Sequence, residues 1–324
     1  MSGKMKWKDA LLFSGMPLEF EAARLLISEG FNVNADFRYT WSDADALSNS
    51  GTDLHAKTDI PFSESGPPLS QMEILVDCKH RDPRAVGLFL PDLNPSGASP
   101  VSPGNTVRVI DQFSPCVVSS DALVSFEMGM PVCYKGMEVN TDTGEVDESL
   151  FKQSLWQLQS PLPRLMTENI FLFLTGPVEN NIPFLFCPVL LTTAPLFVMR
   201  KETALSQIEN ADQIEDVAVR TPYLIMSSGL SPDFKSTCVE ESKQLRTLLR
   251  TDKAMAIEMK KARYYNSHFN LPFTIIDALN ASEYYYLNHF FTQFFICSHT
   301  AFPEFVRVLK KTAETVMKTR QELA

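Results

Sequence analysis

The chain of 324 residues has no Cys-x-x-Cys pair, and its five histidines do not cluster with its cysteines at ligand spacing. A structural zinc site takes four such ligands at short intervals, so zinc is disfavoured. The six cysteines, at 78, 116, 133, 187, 238 and 297, stand mostly among apolar neighbours. Buried free thiols and a reducing, cytoplasmic setting are expected. There is no Walker sequence, no Gly-x-Gly-x-x-Gly and no Gly-x-Ser-x-Gly. Nucleotide-driven and serine-hydrolase chemistry lose their usual carriers. Internal repeats are lacking too. Lys4, Lys6 and Lys8 are not followed by a continuous apolar core, so no signal peptide is read. The one long uncharged stretch, 180–199, is broken by Pro183, Pro188 and Pro195. It reads as two buried strands with turns, and no membrane partner is expected. Positive charge is in deficit: 29 Lys and Arg against 39 Asp and Glu give a net charge of −10. That disfavours a protein coating nucleic acid non-specifically, but not an enzyme with a local basic groove.

What remains is an ordinary globular composition, 44% hydrophobic and 21% charged. It is long enough for one large or two modest domains with a real core. The informative stretch runs from Gly51-Thr52-Asp53-Leu54-His55 to Ile74-Leu75-Val76-Asp77-Cys78-Lys79. Ile74, Leu75 and Val76 predict a buried strand, and Asp77 and Lys79, two apart, share one face at its tip. Cys78 then faces the core on the other side. Carboxylate oxygens suit a hard divalent cation, and a lysine suits developing charge on a phosphoryl group. As the plainer alternative, these residues are strand-end charges in surface ion pairs. Upstream, Pro17 suits a first helical turn, Gly30 a stop, and Leu18, Ala22, Leu25 and Leu26 an apolar face. Glu19 lies at the edge of that face and Glu21 points away. Residues 31–39 alternate as a strand. Between Lys57 and Gln71 an insertion around Ser63-Glu64-Ser65-Gly66-Pro67-Pro68 predicts a turn that bulges out.

A helix with Glu19, a strand, a strand with Asp53 and a strand with Asp77-Cys78-Lys79, over residues 14–80, resemble the PD-(D/E)XK nuclease superfamily. Within it they resemble the Mrr-like restriction endonucleases. The resemblance implies an α/β fold: a restriction-endonuclease-like core of helix, mixed central sheet and helix, with insertions. It implies a metal-dependent endonuclease that hydrolyses phosphodiester bonds in nucleic acid, most of all DNA. Catalytic residues would be Asp53, Asp77, Lys79 and Glu19. Mg²⁺, with Mn²⁺ as a substitute, would be held by Asp53, Asp77 and the backbone carbonyl of Cys78. His55, on the face of Asp53, is a candidate substrate contact, whereas His80 should point away from Lys79.

Residues 81–106 read as a loop rich in Pro, Ser, Gly and Asn. Short strands are expected at 107–110, 116–118, 134–139 and 170–174, two more within 184–199, and a helix at 151–158. Residues 1–200 would form the nuclease-like domain. Residues 201–324 read as a mainly helical region that makes an interface or contacts nucleic acid. There, 236–265 is the most basic part of the chain, and Arg246, Arg250 and Lys253 are candidate phosphate contacts. A solvated helix face is the bland alternative. The aromatic run at 282–295 reads as a core helix or a subunit interface, and the final helix buries Phe305, Val306, Leu309, Ala313 and Val316. Dimerisation through these helices suits an enzyme that cuts both strands. It equally suits the alternative function, a non-catalytic binding or assembly module that works through them.

Overall fold

A computed structural model describes residues 6–39, 50–60, 70–94, 108–110, 130–165, 168–169, 184–232, 234–249 and 291–323. The chain is mixed α/β. Two helices, α1 (Lys6–Phe13) and α2 (Met16–Ser28), precede the strands β1 (Asn32–Tyr39), β2 (Ser50–Ile60) and β3 (Ser70–Lys79). Then come β4 (Ala85–Pro91), β5 (Arg108–Ile110), β6 (Val132–Asn140), β7 (Val146–Asp147) and helix α3 (Ser149–Gln159). The rest comprises β8 (Phe184–Thr192), β9 (Leu196–Met199), α4 (Leu205–Glu209), β10 (Ala218–Thr221), β11 (Tyr223–Ser227), α5 (Phe234–Leu249), β12 (Gln293–Ser298) and α6 (Phe302–Leu323).

The twelve strands among the described residues join one sheet, in the order β1-β2-β3-β8-β12-β11-β6-β4-β9-β10, with β5 on β8 and β7 on β6. β1, β2 and β3 are antiparallel neighbours. β3 then runs parallel to β8, and β8 to β12. A parallel strand covered on both faces needs a continuous apolar sequence. β8 meets this with Leu185-Phe186-Cys187-Pro188-Val189-Leu190-Leu191, all buried.

Alternation along β3 assigns its two faces. Met72, Ile74, Val76 and Cys78 point into a core with Leu18, Ala22 and Leu26 of α2 and Phe302, Phe305, Val306 and Leu309 of α6. The opposite face is covered by α3, which contacts β2, β3, β6 and β8. Its buried face carries Phe151, Leu155 and Leu158. α2 starts at Gly15, left-handed at φ 78°, with Pro in the first turn. Gly30, at φ 88°, stands just past its end. Lys310 of α6 ties down that end by donating to Glu29 Oε2 at 3.0 Å.

Several expectations are corrected. The insertion at 57–71 is shorter than read, because β2 continues to Ile60 and β3 begins at Ser70. A strand, β4, stands inside the stretch read as loop. Among the described residues, 201–324 hold more helix than strand, but they also carry β10, β11 and β12, which the sequence does not predict, and β12 lies at the centre of the sheet. Strands from either side of residue 200 are hydrogen-bonded neighbours, so the division there does not divide the sheet. Phe294 and Phe295 belong to a strand, not a helix, and are buried in the chain's own sheet, which removes them from any subunit interface. The expected strands at 116–118 and 170–174, most of the aromatic run, and the Val316 side chain lie outside the described residues. Cys78, Cys133, Cys187, Cys238 and Cys297 are free and buried as expected. No helix among the described residues is long and apolar enough to cross a membrane.

One glycine in the sheet is dictated by packing. A Cβ built on Gly136 would stand 2.5 Å from the Phe89 ring. That ring is buried and edge-on to Phe151 at 4.9 Å, so it has no free space to move into. Gly136→Ala should lower unfolding free energy by about 1–3 kcal/mol, the usual range for overpacking. A urea melt of the variant checks this, and an unchanged midpoint would contradict the packing described.

Candidate active site

The end of β3 gathers charge that the rest of the core excludes. Asp77 is 1% exposed. Lys79, on the same face, donates from Nζ to Asp77 Oδ1 at 2.8 Å. The β2–β3 register pairs Leu54 with Val76, so the next step places Asp53 opposite Asp77. Asp53 Oδ2 accepts the Cys78 backbone N–H at 2.6 Å, and the Asp53 and Asp77 carboxyls are in hydrogen-bond contact. Antiparallel pairing therefore converts two distant carboxylates into neighbours on one face.

Glu19 arrives from α2 at the same peptide. A Cβ placed on Gly15 would lie 3.3 Å from Glu19 Oε1 and 3.5 Å from the Cys78 carbonyl oxygen. Gly15 thus leaves the room in which the Glu19 carboxylate approaches that carbonyl. The electrostatics agree, since burial pushes the Cys78 thiol well up, helped by the charges of Asp53, Asp77 and Glu19. Asp53, Asp77, Lys79 and Glu19 are accordingly brought together around Cys78, whose side chain turns into the core while its carbonyl oxygen lies beside Gly15 and Glu19.

Burial decides the protonation of Asp77. Loss of hydration pushes its pKa up from 3.8 to about 7; Lys79 opposes the shift and Asp53 adds to it. Charge neutralisation by one lysine does not offset desolvation beside a second carboxylate. Asp77 Oδ2 is buried with no hydrogen-bond partner from a donor group. An orphaned carboxylate oxygen next to a second carboxylate is where a proton or a cation belongs.

Among the described residues, no three His, Cys, Asp or Glu side chains already stand close enough to hold a metal ion. The donor set still suits Mg²⁺, which binds through one or two carboxylates and completes its shell with water and phosphate oxygens. Asp77 Oδ2, Asp53 and the Cys78 carbonyl are the oxygens for that role.

His55 shares the face of Asp53 but is turned toward Glu73, with Nε2 2.7 Å from Glu73 Oε2. Lys57 lies 3.5 Å from the other oxygen of the same carboxylate. The ring is committed to this buried acid rather than displayed. Glu73, fully buried, was not singled out from the sequence; its signal was the spacing Glu73, Leu75, Asp77 along one strand face. His80 stands on the other face of β3, edge-on to Phe13 with ring centroids 6.2 Å apart. Arg250 and Lys253, and the side chain of Arg246 in α5, lie outside the described residues. Comparison of the chain with protein-family models, with curated proteins and with solved structures finds no match.

The raised pKa fixes a sign. The native state keeps a proton on Asp77 that the unfolded chain releases above about pH 3.8. This contribution to stability is full below that pH and is lost as pH rises through about 7. In metal-free buffer, the unfolding free energy of the wild type relative to Asp77→Asn should fall between pH 5 and pH 8, as read from paired urea melts. A difference that is flat or rises with pH would contradict the assigned protonation.

Proposed function

We propose that the protein is a metal-dependent endonuclease, hydrolysing phosphodiester bonds in nucleic acid, DNA first. The observation that carries this reading is the convergence of Asp53, Asp77, Lys79 and Glu19 on the Cys78 peptide at the carboxyl end of β3. Further support comes from a mixed central sheet with helices on both faces, the coarse layout that the resemblance to PD-(D/E)XK nucleases implies.

Asp77 Oδ2, Asp53 and the Cys78 carbonyl would hold Mg²⁺ or Mn²⁺. Such an ion supplies Lewis acidity toward the scissile phosphate and makes water more acidic. The remaining work belongs to the chain. Asp53 spends one oxygen on the Cys78 N–H, which fixes its orientation, and its other oxygen remains for the site. Lys79 is anchored on Asp77 Oδ1, with its side chain 24% exposed, so its ammonium is positioned for substrate at the edge of the sheet. There it stabilises charge developing on the phosphoryl oxygens. Glu19 adds negative charge on the side of the Cys78 carbonyl and orients water. The buried Glu73 with His55 and Lys57 stiffens the same strand pair from beneath.

The alternative, a non-catalytic binding module, is favoured by a different feature: the apolar residues Trp7, Phe13, Met16 and Phe20 exposed on α1 and α2. Such a cluster is common at interaction surfaces. It need not exclude catalysis.

Cleavage of supercoiled plasmid, single-stranded DNA and RNA in Mg²⁺, Mn²⁺ or EDTA tests the reading. Wild type should cut at least one substrate only when metal is present. Lys79→Ala and Asp77→Ala should each lose about 10²–10³-fold in rate, the scale for removing one preorganised charge-stabilising group. Metal-independent cutting, or cutting that survives both changes, would place the chemistry elsewhere. Folded protein that cuts nothing would favour the binding module.

A further inference from the structure

β3 loses one of its two neighbours just before the candidate site. Backbone pairing with β2 ends at Leu54 and Val76. Two residues on, the Cys78 N–H goes to the Asp53 carboxylate rather than to a backbone oxygen. From there β3 is held by β8, and that ladder ends at Lys79 and Thr192. Lys79 is thus the last residue of its strand, where local opening is ordinarily easiest. Its ammonium nevertheless stands 2.8 Å from Asp77 Oδ1.

Thr193 carries the ladder one step further. Its N–H donates to the Lys79 carbonyl at 3.2 Å. In a parallel ladder the next bond would run from the Arg81 N–H to the Thr193 carbonyl. The Arg81 N–H donates instead to Thr193 Oγ1 at 2.8 Å, and the same hydroxyl donates to the Arg81 carbonyl at 3.4 Å. The side chain takes the place of the carbonyl because the backbone turns away here. The Ala194 N–H closes on Thr192 Oγ1 at 3.2 Å, and β9 begins at Leu196. A hydroxyl both accepts and donates, which is what bonding the N–H and the C=O of one residue requires.

We propose that Thr193 is the positioning residue for Lys79. Its N–H and hydroxyl grip the chain on both sides of His80, at the Lys79 carbonyl and at the Arg81 amide. That grip holds the end of β3 in register and keeps the Lys79 ammonium on Asp77. Thr193 acts through Lys79 and not on the substrate, by removing freedom that the strand's end would otherwise have. The use made of Lys79 rests on the nuclease reading; the grip on it does not.

Three full-length variants test it. Thr193→Val keeps the shape and loses the hydroxyl, Thr193→Ala is a second hydroxyl-free variant, and Thr193→Ser keeps the hydroxyl; urea melts verify that each is folded. In metal-free buffer, amide hydrogen exchange at Arg81 should rise about tenfold in the two hydroxyl-free variants, the scale of a part-buried donor left unpaired. Exchange at the centre of β3 should not change. Acylation of Lys79 Nζ by limiting acetic anhydride, read by peptide mass spectrometry, should rise with it, and Thr193→Ser should match the wild type in both. In Mg²⁺, the hydroxyl-free variants should lose about tenfold or more in kcat with KM unchanged, the mark of a group misplaced in the transition state. A threonine needed only for stability would lower the urea midpoint and leave the kcat of folded protein alone, which would overturn the proposal. Exchange and acylation unchanged in a folded hydroxyl-free variant would overturn it too. If the wild type cuts nothing, the nuclease reading falls, and exchange with acylation alone decides whether Thr193 positions Lys79.

Discussion

From Gln71 to Lys79, β3 runs parallel to β8 without a break, each residue in register with one between Phe184 and Thr192. This ladder is the constraint on which the rest depends. A strand flanked by β2 on one side and β8 on the other has no free edge. With α2 and α6 over one face and α3 over the other, it has no wet face either. Any charge placed on it is desolvated. Ile74, Leu75 and Val76 suit that environment; Asp77 does not, and its carboxyl rises to about 7 in consequence. The same ladder sets the position of the strand's end, where α2, β2 and β12 all deliver polar groups. Ladder, burial and site are one physical arrangement.

Burying a carboxylate is unfavourable unless something compensates. Here compensation is incomplete. Lys79 satisfies one oxygen of Asp77 and the Cys78 amide satisfies one oxygen of Asp53, while Asp77 Oδ2 meets no donor group and faces only the Asp53 carboxyl, a contact that closes only with a shared proton or a cation. A structural ion pair needs no second carboxylate against it, because two carboxylates in contact cost stability unless a proton or a cation lies between them. Strain of this kind at a strand tip is a common mark of a working site. Two further buried and unpaired nitrogens, on His80 and His299, stand at the same edge of the sheet.

Much of this was legible in the sequence, and the parts that were not have physical reasons. α2 announced itself through Leu18, Ala22 and Leu26 on one face, Pro17 at its start and Gly30 beyond its end. Asp53, Asp77 and Lys79 stood out because charge at the tip of an apolar strand is rare. β12 was misread because Phe294, Phe295 and Ile296 are buried on both faces, and a strand buried on both faces has no alternation to separate it from a buried helix. β4 was hidden by the Pro, Asn and Ser residues that follow Pro91. Gly15 was invisible for another reason: its role arises from α2 meeting the end of β3, and no local pattern records such a meeting.

Titration of the metal-free protein with Mn²⁺, followed by electron paramagnetic resonance of the free ion, tests the central claim most directly, because it reads the carboxylate cluster without needing a substrate. The account predicts that wild type takes up Mn²⁺, that Mg²⁺ displaces it, and that Asp53→Asn and Asp77→Asn each weaken uptake. Folded wild type that leaves the free signal unchanged, or uptake indifferent to both substitutions, would contradict it.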